Sequence, residues 1–333
     1  MNNAVQIQPE AVALRPALRL VKTNKLSRDE WLEVRKHGIG SSDAAAAVGL
    51  NPYKSQLELW MEKTGRDTDL PKPDPHDSSA PVYWGTLLEP IVATSYTQQT
   101  GRKVRKVNAV LQHPDKPWML ANIDREVVGS SEVQILECKT AGEFGARLWK
   151  EGVPEYIQLQ VQHQLAVTGK QAADVAVLLC GQQLQIYRIQ RDEQLIEKLM
   201  TLQAHFWHYV THDIPPPADG TSSAASALQY LYPQDSGKQI DFSLDTQMST
   251  IFTDLKEVRF QLDKYKQMEE GFKQQIQQSM GDASKAIFET GSVSWKRSKD
   301  SIALDTKKLL ADHPELLDQY NITRAGSRRF LIS

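Results

Sequence analysis

The chain has few cysteines, no long apolar run and almost no net charge. Cys138 and Cys180 are its only cysteines, which excludes a disulfide framework, a four-cysteine zinc site or a four-cysteine iron–sulfur cluster from one chain. No apolar run is long enough to span a bilayer, and the N-terminal residues lack the pattern of a secretory signal. We therefore expect a cytoplasmic protein with no membrane contact. The formal net charge is −2, so a nucleic-acid site must be a local basic patch.

The order of the predicted elements indicates an α/β protein with an appendage. Strand-like runs occupy the middle of the chain, and helical patterns precede, interrupt and follow them, which predicts a mixed β-sheet flanked by helices. We expect a flexible N-terminal arm over 1–25 and a main domain over 26–215. The stretch "IPPPADGTSSAAS" opens a linker predicted over 216–242. The remainder, 243–333, is predicted to be a helical and small α+β accessory region.

Local patterns predict several elements of the main domain. Ser27 and Glu30 form a capping box before a helix, and a longer helix runs from about 82 to 100. "KVRKVNAVLQH", "PWMLANIDREVV" and "EVQILECKT" are three candidate strands, and residues from Pro154 to Gly169 favour a helix. In the accessory region, a three-four spacing from Ile251 to Ile276 fits a coiled coil or helical hairpin, and equally a single helix packed on the core.

The stretch "ILECKTA" places charges inside an apolar run. In a strand Ile135, Glu137 and Lys139 share one face, and burying charges is costly unless they are paired or bind a metal. A surface ion pair at a sheet edge is the ordinary alternative. Asp124 lies a hairpin's distance upstream, and two carboxylates on adjacent strands can hold a hard cation such as Mg²⁺. A lysine beside that cation could orient a water and offset phosphate charge.

Three further features fit this chemistry, although each has an ordinary structural alternative. Glu89 in "WGTLLEP" could add a third carboxylate, or lie on a solvated helix face. Gln160 and Gln164 share a helical face that could bind oxygens, or face solvent. Arg35, followed by a glycine-rich bend and then Ser41 and Ser42 before a helix, could bind a phosphate. The alternative there is an N-cap serine beside a surface arginine.

The ordered set "GIGSSDAAAAVGLNPY", "WGTLLEP", "IDREVV", "LECKTA" and "YIQLQVQHQLAVTG" resembles the YqaJ-type viral recombinases over roughly 26–215. That family includes the phage lambda exonuclease and has the restriction-endonuclease-like PD-(D/E)xK fold. The resemblance implies a Mg²⁺-dependent 5′→3′ exonuclease, with Mn²⁺ as a substitute, that digests one strand of a double-stranded DNA end. It also implies a single-strand annealing partner protein, a phage or prophage origin in a bacterial host, and a homo-oligomer that is trimeric in compact members.

The resemblance also assigns roles to residues of this chain. Asp124 and Glu137 correspond to metal ligands, and the Cys138 carbonyl to a further ligand. Lys139 corresponds to the residue that positions the nucleophilic water. The remaining assignments are Glu89 in the acidic site, Gln160 on the flanking helix, and Arg35, Ser41 and Ser42 at the terminal 5′-phosphate. The chain departs from the family at "NIDRE", where a Pro-Asp-Gly-like turn is usual, and in its long C-terminal region.

Two other functions stay open on the sequence alone. One is an endonuclease or single-strand nuclease of the same fold, although two cysteines disfavour the relatives that carry an iron–sulfur cluster. The other is a non-catalytic DNA-end-binding protein, which the intact Asp124, Glu137 and Lys139 disfavour. Basic clusters at 101–106, 295–299 and 327–329 suit DNA binding in every case, or are solvated surface.

Overall fold

A computed structural model describes residues 16–323 and 326–332 of the chain. It divides into a first unit that ends at Pro233 and a second unit that begins at Gln234. The strands are β1 Leu18–Lys22, β2 Lys103–Lys106, β3 Ala109–Gln112, β4 Leu120–Ala121, β5 Arg125–Val128, β6 Ile135–Ala141, β7 Ala172–Leu179, β8 Gln183–Gln190, β9 Lys285–Phe288 and β10 Gly291–Ser294. The helices are α1 Arg28–Lys36, α2 Ala44–Ala47, α3 Gln56–Lys63, α4 Pro81–Thr100, α5 Glu143–Ala146, α6 Glu155–Thr168, α7 Glu193–Thr211, α8 Ser222–Leu231, α9 Thr246–Met280, α10 Thr306–Asp312 and α11 Glu315–Tyr320.

The centre of the first unit is a mixed sheet with the strand order β2-β5-β6-β7-β8. Its neighbours are antiparallel except for β6 and β7, which are parallel, because α5 and α6 return the chain to the same end of the sheet. One face packs against α6 through residues such as Val161 and Leu165. The other packs against α4 through Val92 and Tyr96. The expected α/β class, a mixed sheet flanked by helices, is confirmed.

Strand β1 lies inside the segment that the sequence predicts to be a flexible arm. It pairs antiparallel with β3, and β3 pairs with β4, in a second small sheet. The Thr23 N–H donates a hydrogen bond to the Asn108 carbonyl at 3.1 Å, which fixes the end of the segment. The arm prediction is therefore wrong for residues 18–22, because a partner strand about ninety positions later is a contact that local pattern does not reveal. Residues 1–15 lie outside the described residues.

Two of the predicted strands are each split between different sheets. Residues 103–112 form β2 in the large sheet and β3 in the small one, with a break at Val107 and Asn108. The run ending in "DREVV" likewise forms β4 and β5. The helix predictions hold well: Ser27 and Glu30 form the reciprocal capping box of α1, and Gly101 ends α4 with a φ of 70°.

The segment predicted to be a linker, 216–242, contains the helix α8. Its Ala224 and Ala227 are buried, and the Ser223 hydroxyl accepts a hydrogen bond from the Ser55 N–H at 2.8 Å. The prediction that 222–231 is linker is wrong because alanine and serine there fit closely against α3 rather than forming a broad apolar stripe. The division between the two units falls after Pro233 instead.

The second unit is built on one uninterrupted helix, α9, which is 35 residues long. This excludes the helical-hairpin interpretation of the three-four spacing, and Val258, Leu262 and Tyr265 of that spacing are exposed. Strands β9 and β10 form a hairpin after it, and α10 and α11 follow. Residues 326–332 form no helix or strand. Within the described residues, no helix is both long and apolar enough to cross a membrane.

Candidate metal centre and phosphate site

The candidate metal centre lies where β6 continues beyond β5. Strand β5 pairs with β6 only at Arg125↔Leu136 and Glu126↔Ile135, so residues 137–141 of β6 extend past it. Asp124 immediately precedes β5, and its Oδ2 accepts a hydrogen bond from the Cys138 N–H at 2.8 Å. This bond holds the Asp124 carboxylate against the open edge of β6.

Glu137 is buried, with 3% of its surface exposed, and its carboxylate is surrounded by donors. Its Oε1 accepts from Lys139 Nζ at 2.7 Å and also from Gln160 Nε2. Its Oε2 accepts from Gln164 Nε2 at 2.7 Å. The two amides come from successive turns of α6, whose i,i+4 spacing places them on one face. The helix therefore fixes the orientation of the Glu137 carboxylate.

The protonation states of this centre follow from burial and from the two carboxylates. Burial first, and then the Glu137 charge, raise the pKa of Asp124 to about 8. Burial alone lowers the pKa of Lys139, but the Glu137 and Asp124 carboxylates outweigh it and raise that pKa above its ordinary value. Burial and the same carboxylates raise the pKa of the Cys138 thiol. Lys139 is therefore a cation, and the Cys138 sulfur stays protonated and is a poor metal ligand.

Glu89 lines the same cavity, but its carboxylate is already engaged. The cavity has a volume of about 400 Å³, and Glu89, Asp124, Glu137 and Lys139 all contribute to its lining. Arg125 Nη1 donates both to Glu89 Oε1 and, at 2.7 Å, to the Asp124 carbonyl. Arg125 thus ties α4 to the start of β5, and its guanidinium engages one oxygen of the Glu89 carboxylate.

The oxygen atoms at this edge fit a hard divalent cation. Within residues 16–323 and 326–332, no group of three His, Cys, Asp or Glu side chains is arranged to hold a metal by itself. Asp124 and Glu137 nevertheless offer two carboxylates, which is enough for a cation that keeps several waters. In a strand the N–H and C=O of one residue point to the same neighbour. Because the Cys138 N–H points to Asp124, we expect its carbonyl to face the same edge.

Arg35 lines a second cavity and also contacts Ser42. Arg35 Nη2 donates to Ser42 Oγ at 2.7 Å and to Asp43 Oδ1 at 2.9 Å. Lys63 Nζ donates to Asp43 Oδ2 at 2.7 Å and to the Arg35 carbonyl at 2.9 Å. Although burial raises the pKa of Asp43, Arg35 and Lys63 hold it well below its usual range. The cavity has a volume of about 410 Å³, and Lys54 also lines it.

Ser41 does not join Arg35 and Ser42 but turns into the protein interior. It is buried, and its hydroxyl donates to the Asn122 carbonyl at 3.3 Å. Gln164 Nε2, which holds Glu137, donates to the same carbonyl at 3.1 Å. Ser42, by contrast, is exposed. One backbone oxygen therefore joins the loop that follows Arg35 to the helix that orients Glu137.

Several residues that shape these sites were not predicted as site residues. Arg125 follows Asp124 directly, but nothing in the sequence indicates that it reaches Glu89. Asp43 and Lys63 form a buried ion pair between segments twenty positions apart, and local pattern does not reveal such pairs. Gln164 was expected on the helical face that it shares with Gln160, four positions earlier, but its hydrogen bond to Glu137 was not predicted.

The chain combines a strand-borne Asp, Glu and Lys centre on a mixed sheet with a second cavity that both basic and acidic side chains line. Residues 30–171 match the YqaJ-like viral recombinase domain. The chain is 35% identical over 306 residues to the uncharacterized protein YqaJ of Bacillus subtilis (strain 168), covering 90% of this chain and 92% of that protein. The chain therefore belongs to the YqaJ-like viral recombinase family.

Solved structures of exonucleases are also similar to this chain. An alkaline exonuclease (LHK-Exo) from Laribacter hongkongensis is 24% identical with a TM-score of 0.45, covering 56% of this chain and 94% of that one. Its complex with dAMP is 25% identical with a TM-score of 0.46, at the same coverage. A phage related exonuclease from Haemophilus somnus 129PT is 12% identical with a TM-score of 0.39, covering 55% of this chain and 98% of that one.

Proposed function

We propose that this protein is a Mg²⁺-dependent DNA exonuclease that digests one strand of a linear duplex from its 5′ end. The observation that carries the proposal is the arrangement around Glu137. A buried carboxylate lies in an open cavity beside Asp124, held by Lys139 and two amides of α6. A purely structural ion pair needs neither a second carboxylate nor an open cavity. Membership of a viral recombinase family supports DNA as the substrate.

The residues have distinct roles in this proposal. Asp124, Glu137 and the Cys138 carbonyl hold Mg²⁺, and Mn²⁺ can take its place. When bound, the cation lowers the pKa of a water and offsets charge on the phosphate. Lys139 is charged in the cavity, so it donates to the attacking water and to the phosphate oxygens. Gln160 keeps Lys139 and Glu137 in place through hydrogen bonds to both.

Arg35 and Ser42 are proposed to bind the terminal 5′-phosphate. A terminal phosphate carries more charge than an internal diester, and a guanidinium binds it through two parallel hydrogen bonds. Lys63 and Lys54 line the same cavity, where each pairs with a carboxylate, Lys63 with Asp43 and Lys54 with Glu62. Recognition of the end at this cavity and cleavage at the metal centre give a 5′→3′ direction and leave a 3′ single strand.

The product suggests the biological setting. A 3′ overhang is the substrate of a single-strand annealing protein, so we propose such a protein as partner in phage-type recombination in the cytoplasm of a bacterial host. We also propose that the protein forms a homo-oligomer, and the resemblance to the compact family members suggests a trimeric ring.

Incubation of DNA with and without Mg²⁺ tests this function. We expect mononucleotide release from a linear 5′-phosphorylated duplex only with the metal, and no cutting of an unnicked circle. Glu137→Gln should abolish release, whereas the exposed Glu151→Gln is the matched control. Cutting of the circle would identify an endonuclease instead. Binding of duplex ends without any cleavage would identify an end-binding protein.

A further inference from the structure

A third cavity, separate from the two candidate sites, is lined by basic and amide side chains. It has a volume of about 370 Å³, and its lining includes Arg19, Lys22, Arg105 and Lys106 together with the amides of Asn24 and Asn108. Among the residues that the structure describes, no acidic one lines this cavity. Four cations around one cavity repel each other, and an anion in the cavity relieves that repulsion.

Strand β1 builds half of this cavity. Residues three apart in a regular strand point to opposite faces, so Arg19 and Lys22 would diverge. The pairing with β3 shifts register between Arg19 and Val21, and such a bulge re-aims the following side chains. Arg19 pairs with Leu111 and Lys22 with Ala109, two positions apart on β3, so both basic residues lie on one face.

Most of the positive charge in this cavity has no acidic partner within residues 16–323 and 326–332. Arg105 Nη2 pairs with Glu126 Oε2 at 2.6 Å. Arg19, Lys22 and Lys106 form no ion pair with any acidic residue of the described chain. They are also exposed, so a polyanion can reach them without a change of fold. The Thr23–Asn108 hydrogen bond holds the two walls together, so the cations are positioned before a ligand arrives.

We propose that this basic cavity binds the phosphate backbone of duplex DNA, at a contact separate from the terminal 5′-phosphate. The proposal rests on the nuclease function, and position supports it. Lys106 pairs with Arg125, the residue after Asp124, so the cavity lies at the metal-centre end of the sheet. Strand β2 is two positions from β6, or roughly 10 Å, which equals about three steps of 3.4 Å along one DNA strand.

The salt dependence of DNA binding tests the proposal without any cleavage. Binding of a fluorescent duplex is measured by anisotropy in EDTA over a series of salt concentrations, for wild type and Arg19→Ala/Lys22→Ala. Each lost phosphate contact lowers the slope of log affinity against log salt by about 0.9, so we expect a fall of about 1.8. If the plots of log affinity against log salt for wild type and variant meet near 1 M salt, the variant binds DNA about 60-fold more weakly at 0.1 M salt.

Two further variants make the result specific to the cavity. Lys106→Ala lies on the other wall and leaves β1 untouched, and we expect its slope to fall by about 0.9. Lys116→Ala/Lys198→Ala removes two exposed lysines elsewhere and should keep the wild-type slope. A wild-type slope in the Arg19/Lys22 variant, or an equal fall in the control, overturns the proposal. Failure of the nuclease function is a different result, namely no Mg²⁺-dependent digestion by wild type.

Discussion

Replacing Lys139 by methionine separates chemistry from metal binding at the candidate centre. Lys139 Nζ lies 2.7 Å from Glu137 Oε1 and 3.1 Å from Gln160 Oε1. Methionine keeps an unbranched side chain but removes the charge and its hydrogen bonds. Glu137 retains both amide donors of α6, so its orientation should survive the substitution.

The expected effect is large on the rate and small on the cation. Loss of one positioned donor at a reacting centre costs roughly 2.7–4 kcal/mol, or about 10²–10³ in kcat. Removing a positive charge beside Asp124 and Glu137 makes the centre more negative, so its affinity for a divalent cation should stay equal or increase. The signature of Lys139→Met is therefore a slow enzyme that still binds metal and DNA.

The assay is a single-turnover measurement of nucleotide release at saturating Mg²⁺. Calorimetric titration with Mn²⁺ reports cation affinity, and anisotropy with Ca²⁺ reports DNA binding. Lys150→Met, an exposed lysine after the same strand, is the matched control and should behave as wild type. A near wild-type rate in Lys139→Met would refute the assignment. Recovery of the rate by excess Mg²⁺ would show that Lys139 serves only to retain the cation.

Three other changes have defined outcomes. In the metal-free folded protein the pKa of Asp124 is raised from 3.8 to about 8, so the folded state keeps a proton that the unfolded chain releases. The free energy of unfolding in EDTA should fall as pH rises through this window. In denaturation experiments the Asp124→Asn variant should not show that fall. If the free energy of unfolding falls with pH as steeply in the variant as in wild type, the assignment is contradicted. Arg35→Lys keeps a charge beside Asp43 but loses the paired N–H donors of the guanidinium. The ratio of initial rates on 5′-phosphorylated and 5′-hydroxyl duplex should therefore drop about ten- to hundredfold. An unchanged ratio would exclude a role of Arg35 in binding the terminal phosphate. A chain ending at Pro233 should fold and cleave, whereas one ending at Pro217 loses α8 and should unfold at a lower temperature; equal melting temperatures would contradict the packing of α8.

The features that could be predicted from the sequence are those that depend on neighbouring residues, such as helix ends and the face of a strand on which a side chain lies. Helix ends followed from Ser27, Glu30 and Gly101, because caps satisfy backbone groups within a few residues. The shared face of Glu137 and Lys139 followed from the strand period alone. Their approach to Asp124 could be expected because a single hairpin connects the two strands.

What could not be predicted depends on contacts between distant segments. The pairing of β1 with β3 and the packing of α8 on α3 depend on surfaces that exist only after folding. The engagement of Glu89 by Arg125 and the inward turn of Ser41 have the same origin. In each case the residues are of common types, and nothing in their local pattern indicates a distant partner.

The shared carbonyl of Asn122 has a consequence for product length. Ser41 and Gln164 both donate to this oxygen, so the loop that follows Arg35 and the helix α6 that orients Glu137 are joined through one main-chain atom. Side-chain substitution at position 122 does not delete a main-chain oxygen, so point mutations there leave this connection intact. For the proposed exonuclease, we therefore expect a constant number of nucleotides to be removed at every step, a number that only an insertion or deletion in the backbone around Asn122 would alter.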